Sequence, residues 1–397
     1  MRPMVLLFIA LFNSILGLSV LFPILAPLGR ELGLSDVQTT SLSAAYAFMQ
    51  FATSTYWGRR SERVGRKPVL LVGILGFGLT FLAFGGVATL GLKGVLSGGA
   101  LFGSLIATRL IGGALSAATL PTAQAYAADI SDRESRTSAM AVIGMAFGLG
   151  VIFGPGIGAG LAMLFDSLLA PVFFSGGAAL LNAFFVYTRL PEPERRSATT
   201  PALDGQIFRK VWPLLAVGFA ATLASVAMEQ TVAFLFQDRL HLPEGVGTAV
   251  MVGGALFAYG IVAVAAQGFI VRRVKWSPMT LVRVGLPIAL CGFVLFVFAN
   301  VYASLTGALV LQGLGQGFVL PGVTSALSLA VGDDDQGSVA GLNSASQGLA
   351  RTLGPLAGGG LYELGRELPY VFAAGLLALV LVVVLARPTR SAPASEG

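Results

Sequence analysis

The sequence predicts an all-α integral membrane protein with twelve transmembrane helices in two pseudo-symmetric six-helix bundles, and three observations carry that prediction. Of the 397 residues, 55% are hydrophobic and only 11% charged, and the mean hydropathy is +0.82, far above the range of water-soluble chains. The apolar residues fall into twelve runs of the length a helix needs to cross a bilayer core, about 20 residues. The second half of the chain also repeats spacings found in the first. Shared among twelve spans, the chain has roughly 33 residues for each helix and its loop, which leaves no room for a large soluble domain.

Taken in order, the runs lie near 4–27, 38–57, 68–90, 99–128, 137–165, 168–188, 210–237, 246–270, 279–299, 302–331, 337–362 and 368–386. The first exceeds the apolar core of a signal peptide and no small-residue cleavage site follows, so it is expected to stay as a helix. Glycine is abundant, 52 residues, but membrane helices tolerate it because neighbouring helices re-satisfy the backbone. The runs are apolar throughout instead of alternating, which excludes a β-barrel.

The cations set the orientation, since Lys and Arg stay on the cytoplasmic side. With the N-terminus inside, the inner set is Arg2; Arg59, Arg60, Arg63, Arg66 and Lys67; Arg133 and Arg136; Arg189, Arg195, Arg196, Arg209 and Lys210; Arg272, Arg273, Lys275 and Arg283; and Arg387 and Arg390. Only Arg30, Lys93, Arg239 and Arg366 fall outside. Both termini are therefore expected in the cytoplasm of a cell (plasma or inner) membrane. The polar stretch 189–209 reads as a linker between an N-terminal bundle, 1–188, and a C-terminal bundle, 210–390, with a disordered tail at 391–397.

Several function classes drop out. The net charge of +6 sits in loops on one side and gives no reason to expect nucleic acid. Cys291 is the single cysteine and His241 the single histidine, so there is no internal disulfide and no zinc set, and no metal or cofactor is expected. Asp333, Asp334 and Asp335 read as a solvated cap before a helix. No phosphate-binding loop and no triad are visible, so no enzyme is expected.

Shifted by 200 residues, 111–161 aligns without a gap on 311–361. The identities include Gly113 with Gly313, Pro121 with Pro321, Gly148 with Gly348, Gly154 with Gly354, Pro155 with Pro355 and Gly158 with Gly358. At a shift of 210, Gly58, Arg63, Val64 and Pro68 pair with Gly268, Arg273, Val274 and Pro278. Such doubled halves are typical of secondary transporters, whose site lies between the halves near the midplane.

The loop from Gly58 to Lys67, Gly-Arg-Arg-Ser-Glu-Arg-Val-Gly-Arg-Lys, resembles the signature between the second and third helices of the major facilitator superfamily. Arg60 stands where an apolar residue is usual and Glu62 where Asp is usual. Gly58 is expected to let two helices approach, and Glu62 to sit by a helix N-terminus. In the family this loop, with Gly65, Arg63 and Arg66, latches the two halves in the outward-open state. In span five, Gly150, Gly154, Pro155 and Gly158 resemble the motif of the proton-coupled exporters, with Ala159 in place of the last glycine. Ala146, Gly150, Gly154, Gly158 and Ala162 lie four apart and form one face of small residues, read as a hinge or sliding surface. Arg109 with Gly113, and Asp129 closing span four, complete a likeness to the twelve-span drug:proton antiporters, which include Gram-positive multidrug efflux pumps.

Of the 19 acids, only Glu229 falls inside a span. It lies nine residues before the Asp238-Arg239 boundary, about 13 Å at 1.5 Å per residue. Burial of a carboxyl group favours its protonated form, and ionisable groups within a bilayer are costly unless they work. Glu229 is thus the proton-coupling candidate, and its setting looks like the acidic position in span seven of those pumps. Two other roles stay open for it, an ion pair with Arg109 or Arg351 and direct attraction of a cationic substrate. Arg109 is open between proton coupling and bracing backbone carbonyls. Arg351, which replaces the Val151 of the repeat, is open between binding an anionic substrate group and neutralising Glu229.

The pocket is expected to draw on Asn13, Gln50, Gln124, Gln230, Phe234, Phe236, Gln316, Asn343 and Gln347. An apolar cavity with few hydrogen-bonding groups favours large amphipathic ligands. What the resemblance implies is a monomeric, proton-coupled antiporter that exports amphipathic small molecules or drugs by alternating access, with protons and the lipid bilayer as its other partners. A selective exporter of a sugar, siderophore or lipid is the alternative, and a channel or scaffold the third.

Overall fold

The computed structural model describes residues 3–131, 135–193, 205–274, 276–332 and 335–386. Arg2, Arg133, Lys275, Asp333, Asp334, residues 194–204 of the expected linker and the expected tail at 391–397 lie outside the described residues. Among the described residues every regular element is helical, in the order of the apolar runs. These are α1 (Pro3–Ser19), α2 (Leu25–Glu31), α3 (Asp36–Val64), α4 (Arg66–Leu92), α5 (Gly98–Ser116), α6 (Thr119–Asp129), α7 (Arg136–Phe165), α8 (Ala170–Arg189), α9 (Gly205–Leu240), α10 (Val246–Ala265), α11 (Val271–Val274), α12 (Pro278–Phe298), α13 (Tyr302–Leu329), α14 (Gln336–Leu364) and α15 (Leu368–Ala386).

Three runs arrive in pieces, and the sequence accounts for two of the breaks. The first run breaks between α1 and α2 around Pro23, and the fourth between α5 and α6, where Pro121 has no N–H to donate to the carbonyl of Ala117. The eighth passes from α10 to α11 through a π-helical turn, Ala266–Ile270. Nine stretches of the described residues are long and apolar enough to cross a bilayer. The first run, α3 and α14 fall short of that measure. α3 carries Gln38, Thr39, Thr40, Gln50, Thr53 and Ser54, and α14 carries Asn343, Ser344, Gln347 and Thr352. These two helices pack on each other, and Thr39, Thr40 and Thr352 among their polar residues are buried in protein.

Buried side chains gather into two main clusters. One comes almost wholly from α1–α8, built on Phe77, Phe81, Phe84 and Tyr126, and the other from α9–α15, built on Phe234, Phe236, Phe293, Phe296 and Tyr370. Within the first half α7 packs on α1, and within the second α14 packs on α9. The repeated glycines make both contacts alike. A methyl group at Gly158 would stand 2.9 Å from the carbonyl oxygen of Val20, and one at Gly358 would stand 2.9 Å from that of Ala227. Gly154 likewise faces Ser19, and Gly150 faces Ile15. The small-residue face of span five is therefore the seat of α1 within one half. The face of α7 turned to the other half is Ile152, Gly156 and Ala159, set against Gly260, Phe257 and Gly253 of α10.

These contacts give a stability prediction. Gly158→Val is expected to cost about 1–3 kcal/mol through overpacking, read as a lower melting temperature in detergent. Gly160→Ala, where an added methyl meets nothing within 4 Å, is expected to be neutral. Equal melting temperatures for the two variants would remove the close-packing role of Gly158.

Candidate functional site

The halves touch through α3 against α14 and α7 against α10. Their contacts gather toward one end, which carries the α2–α3 and α9–α10 turns. There Arg30 donates from Nη1 to Asp238 at 2.7 Å and to Gln237 at 3.2 Å, and Val37 N–H donates to Glu363 at 2.9 Å. Deeper along the same helices Thr40 meets Gly359 and Phe51 meets Gly348. Toward the other, basic end, an added methyl at Gly337 or Gly341 of α14 would meet nothing within 4 Å. The two halves are thus held together at the end of the α2–α3 turn, while Gly337 and Gly341 of α14 face open space toward the basic end.

Glu229 lies on α9 beneath that closure, nine residues, about 13 Å, below Asp238. Its Oε1 accepts hydrogen bonds from Ser225 Oγ and Tyr259 OH, each at 3.2 Å. Arg351 of α14 is near enough to act on it electrostatically, yet among the described residues neither Arg351 nor Arg109 forms an ion pair with it. The Arg351 guanidinium instead lies 5.1 Å over the ring of Phe147, on α7 of the other half. A carboxyl group and a hydroxyl pair from two helices thus meet where the two halves adjoin, with the Arg351 cation of a third helix in electrostatic range.

Arg109 is somewhere else. It is 4% exposed, donates from Nε to the carbonyl of Leu42 at 3.3 Å, and faces the rings of Tyr46, Phe84 and Phe81 at 4.5, 5.5 and 5.9 Å. The two residues expected to share proton coupling do not meet. The geometry around Arg109 is that of a brace on a backbone carbonyl, reinforced by cation–π contact.

The expected pocket residues divide. Gln50 and Gln230 are half-buried and Gln124 exposed, each without a hydrogen-bonding partner among the described residues. Asn13 is half-buried with an unpartnered Nδ2, and Asn343 accepts from Gln347 at 3.3 Å. Gln316 is 4% exposed and spans from α13 to α9 by donating to the carbonyl of Ala221. Phe234 and Phe236 are corrected here. Both are fully buried, Phe234 against Tyr362 and under Arg30, Phe236 against Tyr302, so they pack the closed end and line no open space in this conformation.

In the loop between α3 and α4, Arg66 pairs with Asp129 at 2.8 Å, both nearly buried, and donates to Ser61 Oγ at 2.7 Å. All of these belong to the first half, so among the described residues these contacts of the loop join elements of one half. Two expectations change. The nearest atom to a methyl at Gly58 would be 3.8 Å away, in Pro121, an ordinary contact; the position that requires glycine is Gly65, with φ 121°. Glu62 and Arg63 are exposed, and the acid at the N-terminus of α4 is Glu192, which accepts from the backbone N–H groups of Arg66 and Lys67. The start of the expected linker is thereby docked onto the first half. His241 is exposed in a left-handed turn, φ 52°, and among the described residues belongs to no metal-binding cluster.

Two helical lobes that meet over a carboxyl group and an arginine, closed at one end, define a two-lobed membrane transporter. The chain belongs to the Major Facilitator Superfamily, whose family model matches residues 7–305 and 287–397. It is 28% identical to "Multidrug resistance protein 1" of Bacillus subtilis over 95% of this chain and 94% of the relative. It is 26% identical to "Quinolone resistance protein NorA" of Staphylococcus aureus over 97% and 96%. Among solved structures it resembles the human organic anion transporter MFSD10 (TETRAN), with TM-score 0.68 and 23% identity over 96% of this chain and 99% of that one. It also resembles a bacterial homolog of the human lysosomal transporter Spinster in an inward-facing, occupied conformation, with TM-score 0.74 and 14% identity over 96% and 95%. The fold is thus that of a multi-pass membrane transporter of small molecules.

Proposed function

We propose that this chain exports amphipathic small molecules, drugs among them, in exchange for protons. It would work as a monomer in the cell membrane with both termini cytoplasmic, the halves 1–188 and 210–390 rocking about the site between them on the linker 189–209. The observation that carries this reading is Glu229, an acid deep in a span, beneath the closed end and beside Arg351. The basic end, open here, is then cytoplasmic, and the conformation is the one that accepts cargo from inside. Partly exposed, unpartnered Gln50, Gln124 and Gln230 give a ligand a few hydrogen-bonding groups in an otherwise apolar surround, which suits loose selection. The names of the two bacterial relatives agree with drugs as cargo. Arg109 is assigned the packing of α5 on α3, and Arg351 the charge balance of Glu229.

The test is transport by purified protein in proteoliposomes with an imposed pH gradient, using ethidium as a lipophilic cation and a panel of sugars as competitors. Accumulation of ethidium driven by the gradient and unaffected by sugars is expected. Ethidium movement indifferent to the gradient would overturn coupling, and competition by a sugar would favour the selective exporter.

A further inference from the structure

We infer that Tyr259 is the positioning residue for Glu229: its hydroxyl fixes the carboxylate beside Ser225 and Arg351 and sets the pH at which the carrier gives up its proton. The inference rests on the proton-coupling reading of Glu229 and adds a residue to it.

The argument comes from comparing the halves. A methyl group at Gly113 would collide with the backbone carbonyl of Tyr46, and one at Gly313 with that of Tyr259. The two tyrosines therefore occupy equivalent places, each with its backbone seated against the repeated glycine of the neighbouring helix. Their rings do different work. Tyr46 presents its face to Arg109 at 4.5 Å and its hydroxyl to Ser116. Tyr259 points its hydroxyl at Glu229 Oε1, 3.2 Å away. The matched contacts of Gly158 with Val20 and of Gly358 with Ala227 place Phe22 of the first half opposite Glu229 of the second. Only the half with an acid at this position has turned its tyrosine into a donor for it.

The donor is also well held. The carbonyl of Tyr259 is pinned by Gly313 on α13, the next residue, Gly260, packs on Ile152 of α7, and Phe257 packs on Gly156 of α7. Such a backbone cannot drift, so the hydroxyl is delivered to one spot. Ser225 Oγ and Tyr259 OH lie 3.2 Å apart. Each has a single proton, so when both donate to the carboxylate neither serves the other. Besides Tyr259, the charged group that acts on Glu229 from a neighbouring helix is Arg351 on α14. α13 presents the neutral Gln316, engaged with Ala221.

A donor to the carboxylate stabilises its charged form, so deleting it lets the protonated form persist to higher pH. Tyr259→Phe keeps the ring and removes only the hydroxyl. In proteoliposomes carrying ethidium across a constant pH gradient, with both sides stepped together through the pH range, the midpoint of transport is expected to move up by about one pH unit. The melting temperature in detergent is expected to stay within a degree or two of the unmodified protein. In the Glu229→Gln background, where downhill ethidium equilibration is the readout, the same substitution is expected to leave the pH profile where it was. A pH-dependent parent protein with an unmoved Tyr259→Phe profile overturns the inference alone, as does an equal shift in the Gln background. A flat profile for the parent protein overturns the proton-coupling reading and the inference together.

Discussion

Glu229→Gln is expected to abolish gradient-driven export while leaving a folded carrier that still equilibrates its cargo downhill. The amide keeps the shape of the carboxyl group, and its oxygen still accepts from Ser225 and Tyr259. What it loses is the ability to carry a proton. Uphill transport needs a group that is protonated while open to one side and deprotonated while open to the other. Among the described residues no other acid lies as far from the ends of a span, so nothing takes over. The rate of gradient-driven export is expected to fall at least about tenfold, equivalent to ~1.4 kcal/mol, in proteoliposomes with equal protein content. Export by Glu229→Gln at the parent rate would take this carboxyl group out of the mechanism. The competing structural role makes a different forecast. If Glu229 only balanced Arg351, the Gln variant would melt earlier because a cation is left without its counter-charge. The added change Arg351→Met would then restore both stability and transport. Under proton coupling the double variant regains stability at most.

Much of the fold was legible because span-forming apolarity is a local property. Each of the twelve runs reappears as helix, and the breaks at Pro23 and Pro121 fall where a missing N–H interrupts the ladder. The pairing of Gly113 with Gly313 and of Gly158 with Gly358 could be read from an ungapped shift. The likeness of Tyr46 to Tyr259 could not, since their separation is 213 residues and not 200, and only the contacts with those glycines reveal it. Glu229 stood out by elimination, as an acid where acids are costly. Its hydroxyl donors did not, because Ser and Tyr are unremarkable residues in a membrane helix. The assignment of Glu62 to a helix N-terminus failed for a related reason. Capping by Glu192 joins segments more than a hundred residues apart, and nearness in sequence favoured the wrong acid. Phe234 and Phe236 show the remaining gap. An apolar ring serves equally as core or pocket lining, and only the position of the partner half decides between them.

Arg30→Ala is expected to loosen the closed end and shift the carrier toward the opposite conformation. Arg30 of the first half holds Asp238 of the second with two hydrogen bonds, at 2.7 and 3.2 Å, donates to Asp36 at 3.3 Å, and covers the ring of Phe234 at 5.0 Å. Burial weighs against its charge, but the hydrogen bonds to Asp238 and Asp36 outweigh that and hold its proton more tightly than in a free guanidinium. The pair with Asp238 is 20% and 15% exposed, so solvent screens part of its strength. A loss of about 1–2 kcal/mol from closure is a reasonable order for hydrogen bonds to a charged group, a five- to thirty-fold shift in population. Spin labels at Val95 and Val301, both exposed in turns at this end, report it once Cys291 is replaced: the long-distance fraction grows in Arg30→Ala, and an unchanged distribution would show that Arg30 is not the latch. Glu31 gives the reverse sign. Burial and the neighbouring Glu244 push its carboxyl group up from the ordinary value of 4.5, so closure favours the protonated form and is weakened as pH rises through the raised value. Glu31→Gln fixes the uncharged form and is expected to increase the short-distance fraction at pH 7. Below about pH 4, where the parent carboxyl group is protonated in both conformations, the two proteins should coincide. A Gln variant that opens at neutral pH, or a difference that persists in acid, would place the repulsion between Glu31 and Glu244 outside the closure.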